Sequence, residues 1–132
     1  MDIKKRDQIL FGSFNPDRYG PHKNFAPRFC DLTLDQVKTL VENGMLDPEM
    51  DQNGSPSTRE FMEFMEEHPS ARVAGFATFR SWDTNVVLTT VTLQTSDPMA
   101  IATFASRFHD ADEFDIHWDT KTSRFECRAW WD

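Results

Sequence analysis

The chain has 132 residues, 39% hydrophobic and 13% aromatic, with 12 Phe and 4 Trp. This length suits a single core, and the composition excludes disorder throughout. The formal charge is −8, no apolar run approaches the roughly 20 residues that cross a bilayer, and the opening MDIKKRDQ has charges where a secretory leader has its apolar stretch, so the expectation is a cytoplasmic protein with no membrane segment.

The charge is unevenly placed. Residues 1–30 hold six Lys or Arg against three Asp, residues 31–69 two against ten acidic side chains, and residues 70–132 six against nine. This negative balance argues against direct binding of nucleic acid, unless the basic N-terminal segment acts alone. Two cysteines, Cys30 and Cys127, are too few for a disulfide framework and lack any CxxC spacing, so both read as small buried side chains.

Residues 7–14, DQILFGSF, read as a short strand. Residues 15–29 contain Pro16, Gly20, Pro21 and Pro27 without a period, which predicts a covering loop whose Tyr19, Phe25 and Phe29 reach the core. Residues 1–30 are thus an irregular basic and aromatic segment of one domain spanning 1–132. Its Arg18, His22, Lys23 and Arg28 are a mixture able to hold phosphate or stack bases; the simpler account is that these charges face the acidic segment that follows.

Stronger signals begin at Leu32. Thr33 with Gln36 forms a capping box, Leu32 with Val37 a hydrophobic staple, and Leu34, Val37, Leu40 and Val41 an apolar face closed by Gly44, which predicts a helix over 33–43. A second helix over 56–68 starts from Ser55 and Pro56 as cap and first residue, with Ser57 and Glu60 as an alternative capping box. Phe61, Phe64, Met65 and His68 form its apolar stripe, Glu60, Glu63, Glu66 and Glu67 its acidic side, and Pro69 ends it. Residues 72–79 and 85–94 read as strands joined by the short connection SWDTN and hence antiparallel. Asp97 and Pro98 open a third helix, 98–109, with Ile101, Phe104, Ala105 and Phe108 buried.

The chain ends in two alternating runs, 113–119 and 124–131. With the turn centred on Lys121 and Thr122, Trp118 meets Phe125, Ile116 meets Cys127 and Phe114 meets Ala129 on an apolar face. The opposite face then pairs Asp119 with Arg124, His117 with Glu126 and Asp115 with Arg128, a complementarity that a one-residue slip destroys. The fold class is α+β, an antiparallel sheet of about four strands with helices mainly on one face.

Taken together, GMLDPEMDQNGSP, EFMEFMEEHP and the terminal WWD resemble small uncharacterised proteins encoded on conjugative and integrative mobile elements of gut bacteria, in which GxLDPxxxQNxSP, EFxEFxxxHP and WWD recur. The resemblance runs from about Leu32 to Asp132. It implies a mobile-element setting and carries over no functional residues.

Glu49, Asp51, Asn53, Gly54, Ser55, Ser57 and Glu60 fall near the spacing of a calcium loop, but Glu49 replaces the first Asp, and Gly44 and Pro48 break the entering helix. A turn-rich linker is the plainer reading. His117 and Cys127 share the hairpin but project to opposite faces, which excludes a thiol–imidazole dyad. The cluster His109, Asp110, Asp112, Glu113, Asp115 and His117 has no standard metal spacing. No catalytic residue, metal ligand or cofactor is assigned. Trp131 is expected in the core and Trp130 on the polar face, where with Arg128 it either anchors a partner or is covered from within. The leading expectation is a noncatalytic protein that binds a macromolecular partner, a protein, with the acidic helix-linker-helix bearing Glu60, Glu63 and Glu67 as its main contact surface and Arg128 with Trp130 as a further candidate. A DNA mimic occupying a basic groove is the first alternative, and a small-molecule or metal-dependent enzyme the second.

Overall fold

A computed structural model describes residues 2–23, 25–80 and 83–132. In chain order the elements are α1 (Ile3–Phe11), a 3-10 turn (Pro16–Tyr19), β1 (Arg28–Leu32), α2 (Leu34–Glu42), α3 (Thr58–Glu67), β2 (Arg72–Ala77), β3 (Val86–Thr95), α4 (Pro98–Phe108), β4 (Glu113–Asp119) and β5 (Arg124–Trp130). The strands form one antiparallel sheet in the order β1-β2-β3-β5-β4. The α+β class therefore holds, with five strands instead of about four and with a further helix at the N-terminal end. No helix among the described residues is long and apolar enough to cross a membrane.

Local chemistry sets the helix starts. The capping boxes Thr33–Gln36 and Ser57–Glu60 are both made in full, and Asp97 accepts from the Met99 amide at 3.0 Å. The Ser57 box supersedes the Ser55–Pro56 start, so α3 begins at Thr58. Phe61, Phe64 and Met65 of α3 and Phe104 and Phe108 of α4 are buried with Trp131, their rings meeting mostly edge to face at 4.9–6.2 Å. Such pairs add about 0.5–1.5 kcal/mol each beyond the area they bury.

The hairpin register is the one expected at every position from Glu113↔Trp130 to Asp119↔Arg124. A second register lies between β2 and β3, where Val73↔Val91 and Ala77↔Val86 face the helices and a bulge between Ala74 and Gly75 leaves Thr89 unmatched. The Thr89 carbonyl instead accepts from the Trp131 amide at 2.9 Å. Gly75 permits this crowding: a Cβ there would lie 1.8 Å from the Val87 carbonyl oxygen. Core residues Val73, Leu88, Val91, Leu93, Cys127 and Ala129 all project to the helix side.

The N-terminal reading needs correction. Residues 7–11 belong to a helix and 12–14 follow its end, with no strand there, and the described residues of the segment 1–30 include α1, the 3-10 turn and the start of β1. Asp2 caps α1 by accepting from the Lys5 amide, and Gly12 closes it in the left-handed region. The buried side of α1 is polar. Arg6, Asp7 and Tyr19 are all fully buried: Arg6 Nε donates to Asp7 Oδ1 at 3.0 Å, Arg6 Nη2 to the Tyr19 hydroxyl at 2.7 Å, and that hydroxyl to Asp7 Oδ2 at 2.6 Å. Arg6 Nη1 also donates to the carbonyls of Thr78 and Thr84 at 2.6 and 2.8 Å, tying α1 to the β2–β3 connection. Ser81 and Trp82 of that connection lie outside the described residues.

Tyr19 and Phe29 reach the core as expected, whereas Phe25 is 59% exposed. The N-terminal cations do not face the acidic segment as a group. Arg18 stacks on Phe11 and Lys23 on Phe79 at 4.3 and 4.1 Å, and Lys5 donates to Asn43 at the end of α2.

Candidate functional site

Among the described residues the helices pack on one face of the sheet; on the other, Val87 and Thr90 are buried while the part formed by β5 and β4 is open. On the bare face the pairing sets Thr90 beside Trp130, Thr92 beside Arg128 and Gln94 beside Glu126, and continues across β5 to Glu113, Asp115 and His117 of β4. Two adjoining depressions result, of about 510 and 320 Å³. The larger is lined by Asp31, Arg72, Asp115, His117, Arg124 and Glu126 among others, the smaller by Arg28, Cys30, Thr90 and Trp130, and Arg128 borders both.

Four side chains of the larger depression, Gln94, Asp115, His117 and Glu126, are paired with one another. His117 lies 3.1 Å from Asp115 through Nδ1 and 3.2 Å from Glu126 through Nε2, and Gln94 donates to Glu126 at 2.7 Å. Asp115 and Arg128 are opposite in the backbone register, yet Arg128 donates diagonally to Glu113 at 3.3 Å. Arg72 donates to the carbonyls of Pro69 and Ala71. Arg124 makes no ion pair among the described residues. Because these pairs sit in water, each contributes only about 0–1 kcal/mol and exchanges readily for contacts with a partner.

Two cysteines flank this face in different states. Cys30 is exposed, contrary to the expectation of a buried thiol. The neighbouring Asp31 charge, then partial burial, then a hydrogen bond to Asp31 push its thiol up. Cys127 lies buried on the helix side, and burial pushes it up to about 11. Cys127 and His117 are therefore separated by the sheet, and neither thiol has the electropositive setting that makes a nucleophile.

Glu60, Glu63 and Glu67 are not brought together with Arg128 and Trp130; they lie on α3, across the molecule's helical layer. Nor do they form a free acidic row. Glu60 accepts from the Ser57 amide in its capping box, Glu67 is bridged to Arg107 of α4 by two contacts of 2.9 and 2.8 Å, and Glu66 lies 3.1 Å from Lys38 of α2. Glu63 borders a smaller depression of about 260 Å³ with Glu60 and Arg107. In the linker, Glu49 pairs with Arg59 at 2.6 Å, Ser55 accepts from the Gln52 amide, and Asn53 donates to the Asp132 carbonyl. Among the described residues no three His, Cys, Asp or Glu side chains converge as a metal site.

Trp130 is half-buried beside Thr90, Arg128 and Glu113, and shares the smaller depression with Arg28, Phe29 and Cys30. What sequence reading missed was the contribution of Arg28, Asp31 and Arg72 to this face. Searches against protein-family models, curated proteins and solved structures returned no match to this chain.

Proposed function

We propose that this chain is a noncatalytic cytoplasmic protein of a mobile element that works by binding another protein, and that the bare sheet face around Trp130 and Arg128 is the contact surface. The mobile-element setting rests on the GMLDPEMDQNGSP, EFMEFMEEHP and WWD resemblance. The binding surface rests on one observation: a half-buried Trp and an Arg at the junction of two open depressions on a sheet face that no helix covers. Trp and Arg carry a disproportionate share of interface energy when desolvated by a partner. The surrounding mixture of cations and anions suits a partner of mixed charge.

The DNA-mimic reading is weakened by the partners of Glu60, Glu66 and Glu67, since a carboxylate already facing Arg107 or Lys38 offers little field to a basic groove. The enzyme reading has no supporting geometry beyond a depression in which Gln94, Asp115, His117 and Glu126 are paired with one another.

The test is affinity capture with the full chain, comparing wild type, Trp130→Ala combined with Arg128→Ala, and a triple variant with Glu60, Glu63 and Glu67 changed to Gln. A protein retained by wild type and the triple variant but lost by the double variant fits the proposal. Salt-sensitive capture lost only by the triple variant replaces it with the mimic.

A further inference from the structure

The sheet ends at β4 in an edge strand that pairs with β5 at all seven residues without a bulge. It contains no Pro or Lys, and its carboxylates Glu113, Asp115 and Asp119 all lie on the face away from the helices, which leaves the helix side of the edge apolar. On its helix side Phe114 is 36% and Trp118 50% exposed, with Ile116 between them only partly covered, because α4 packs mainly over β3 and β5 and reaches β4 through Phe104, 5.9 Å from Phe114.

We propose that β4 pairs with β4 of a second copy of this chain, antiparallel and centred on Ile116, so that two five-stranded sheets become one. This is independent of the reading of the bare face. The argument is the self-complementarity of EFDIHWD in that register. Ile116 stands opposite Ile116, and Phe114 opposite Trp118 twice, which gives one unbroken apolar stripe on the helix side. On the other side Asp115 stands opposite His117 twice, the same pairing of types seen within the chain at 3.1 Å.

Neighbouring registers are worse. A one-residue slip sets apolar against charged positions, since directly opposed residues share a face. Recentring on Asp115 opposes two Asp115 side chains and leaves Trp118 facing Asp112; recentring on His117 opposes Asp115 to Asp119 twice and leaves Phe114 facing Thr120. Like charges directly opposite are unfavourable. In the proposed register the like pair is Glu113 with Asp119, at the solvated ends. Both partly exposed aromatic side chains thereby gain a second aromatic partner, Phe114 in addition to Phe104 at 5.9 Å and Trp118 in addition to Phe125 at 5.0 Å.

The interface is small, so the dimer forms at concentrations of about 10 µM to 1 mM rather than nanomolar. Sedimentation equilibrium over that range is expected to show the average mass rising from 15.4 kDa toward twice that value. Trp118→Lys and Phe114→Lys, at exposed positions, are expected to keep the wild-type circular dichroism and remain monomeric. The register is read in a Cys30→Ser background: His117→Cys mixed with Asp115→Cys forms an intermolecular disulfide, and neither variant does so alone. A chain that stays monomeric throughout overturns the proposal, as does a dimer that survives both lysine variants or a His117→Cys protein that crosslinks to itself. None of these outcomes touches Trp130 or Arg128, so the capture experiment stands or falls separately.

Discussion

The two edges of the sheet are built in opposite ways. β1 is five residues long, is bulged between Phe29 and Leu32, and carries Asp31 in the left-handed region at φ 57°. Beside it packs α1, with Leu10 in the core and Phe11 edge-on to Phe29 at 6.3 Å. β4 is regular and longer, and although Phe114 rests against Phe104 of α4, it shows Phe114 and Trp118 partly to solvent. Edge protection is therefore present where the chain has a helix available to supply it and absent where two aromatic residues flank an isoleucine symmetrically. The contrast teaches that the exposed edge is a surface the sequence left open, because the same sheet has closed its other one.

The strongest way to break the contrast is to release α1. Arg6→Met removes the guanidinium that compensates Asp7 and binds Thr78, Thr84 and Tyr19. Truncating one partner of a buried pair leaves an unpaired charge and is expected to cost roughly 3–5 kcal/mol in denaturant unfolding. Hydrogen exchange at Arg28–Leu32 is expected to rise well before exchange in β4 and β5. Equal acceleration at both edges would show that α1 does not protect β1 in particular.

Gly75→Ala attacks the same edge from the sheet side. Its added methyl meets the Val87 carbonyl at 1.8 Å, and backbone cannot rotate away as a side chain does. Gly75 pairs with both Phe29 and Leu88, so the displacement is shared by β1 and β3. The expected loss is about 3 kcal/mol, with the β4–β5 hairpin pairing retained. A loss below about 0.5 kcal/mol would mean that the bulge at Thr89 relaxes freely.

The two edges also differ in how far they were legible in sequence. The β4–β5 hairpin was readable to the residue, because strict alternation and three opposite-charge pairs admit one register. Helices α2 to α4 were readable from their caps. α1 was not: two of its three buried residues are Arg6 and Asp7, with Leu10 the third, so a search for apolar periodicity finds the wrong signal, although Asp2 and Gly12 stood at cap spacing. β1 escaped because its bulge breaks alternation at Cys30 and Asp31. The bare face was half visible. Arg128 and Trp130 followed from the hairpin register, but Asp31 and Arg72 arrive only through the strand order, which no local pattern encodes. The partners of Glu66 and Glu67 come from other helices, and so the acidic row read along α3 overstated its free charge.

Tyr19 offers a gentler probe of the covered edge. It is the single tyrosine of the chain, so tyrosinate absorbance reports it alone. Burial first, then the hydrogen bond to Asp7, raise its phenol well above the ordinary value of 10.0. The folded state thus holds this proton when the unfolded chain has begun to release it. Stability from this group is complete below about pH 10 and falls as pH climbs toward the raised folded value, by up to about 1.4 kcal/mol per pH unit. Tyrosinate is expected to appear together with loss of circular dichroism, and ionisation of Tyr19 at its ordinary value in folded protein would contradict the Arg6–Asp7–Tyr19 network.

The smallest expected effect lies in the β1 bulge itself. Cys30 is exposed and Cys127 buried, so a disulfide reagent at mildly alkaline pH reacts with one thiol in the folded chain and with the second only on unfolding. The Asp31 carboxylate disfavours the Cys30 thiolate by its charge. Asp31→Asn removes that charge while keeping a residue type that tolerates the left-handed conformation found there. The Cys30 rate is then expected to rise with no change at Cys127. An unchanged rate would separate the two side chains, whereas reaction of both thiols would show that the bulge, and with it the closed edge, depends on Asp31 for more than its charge.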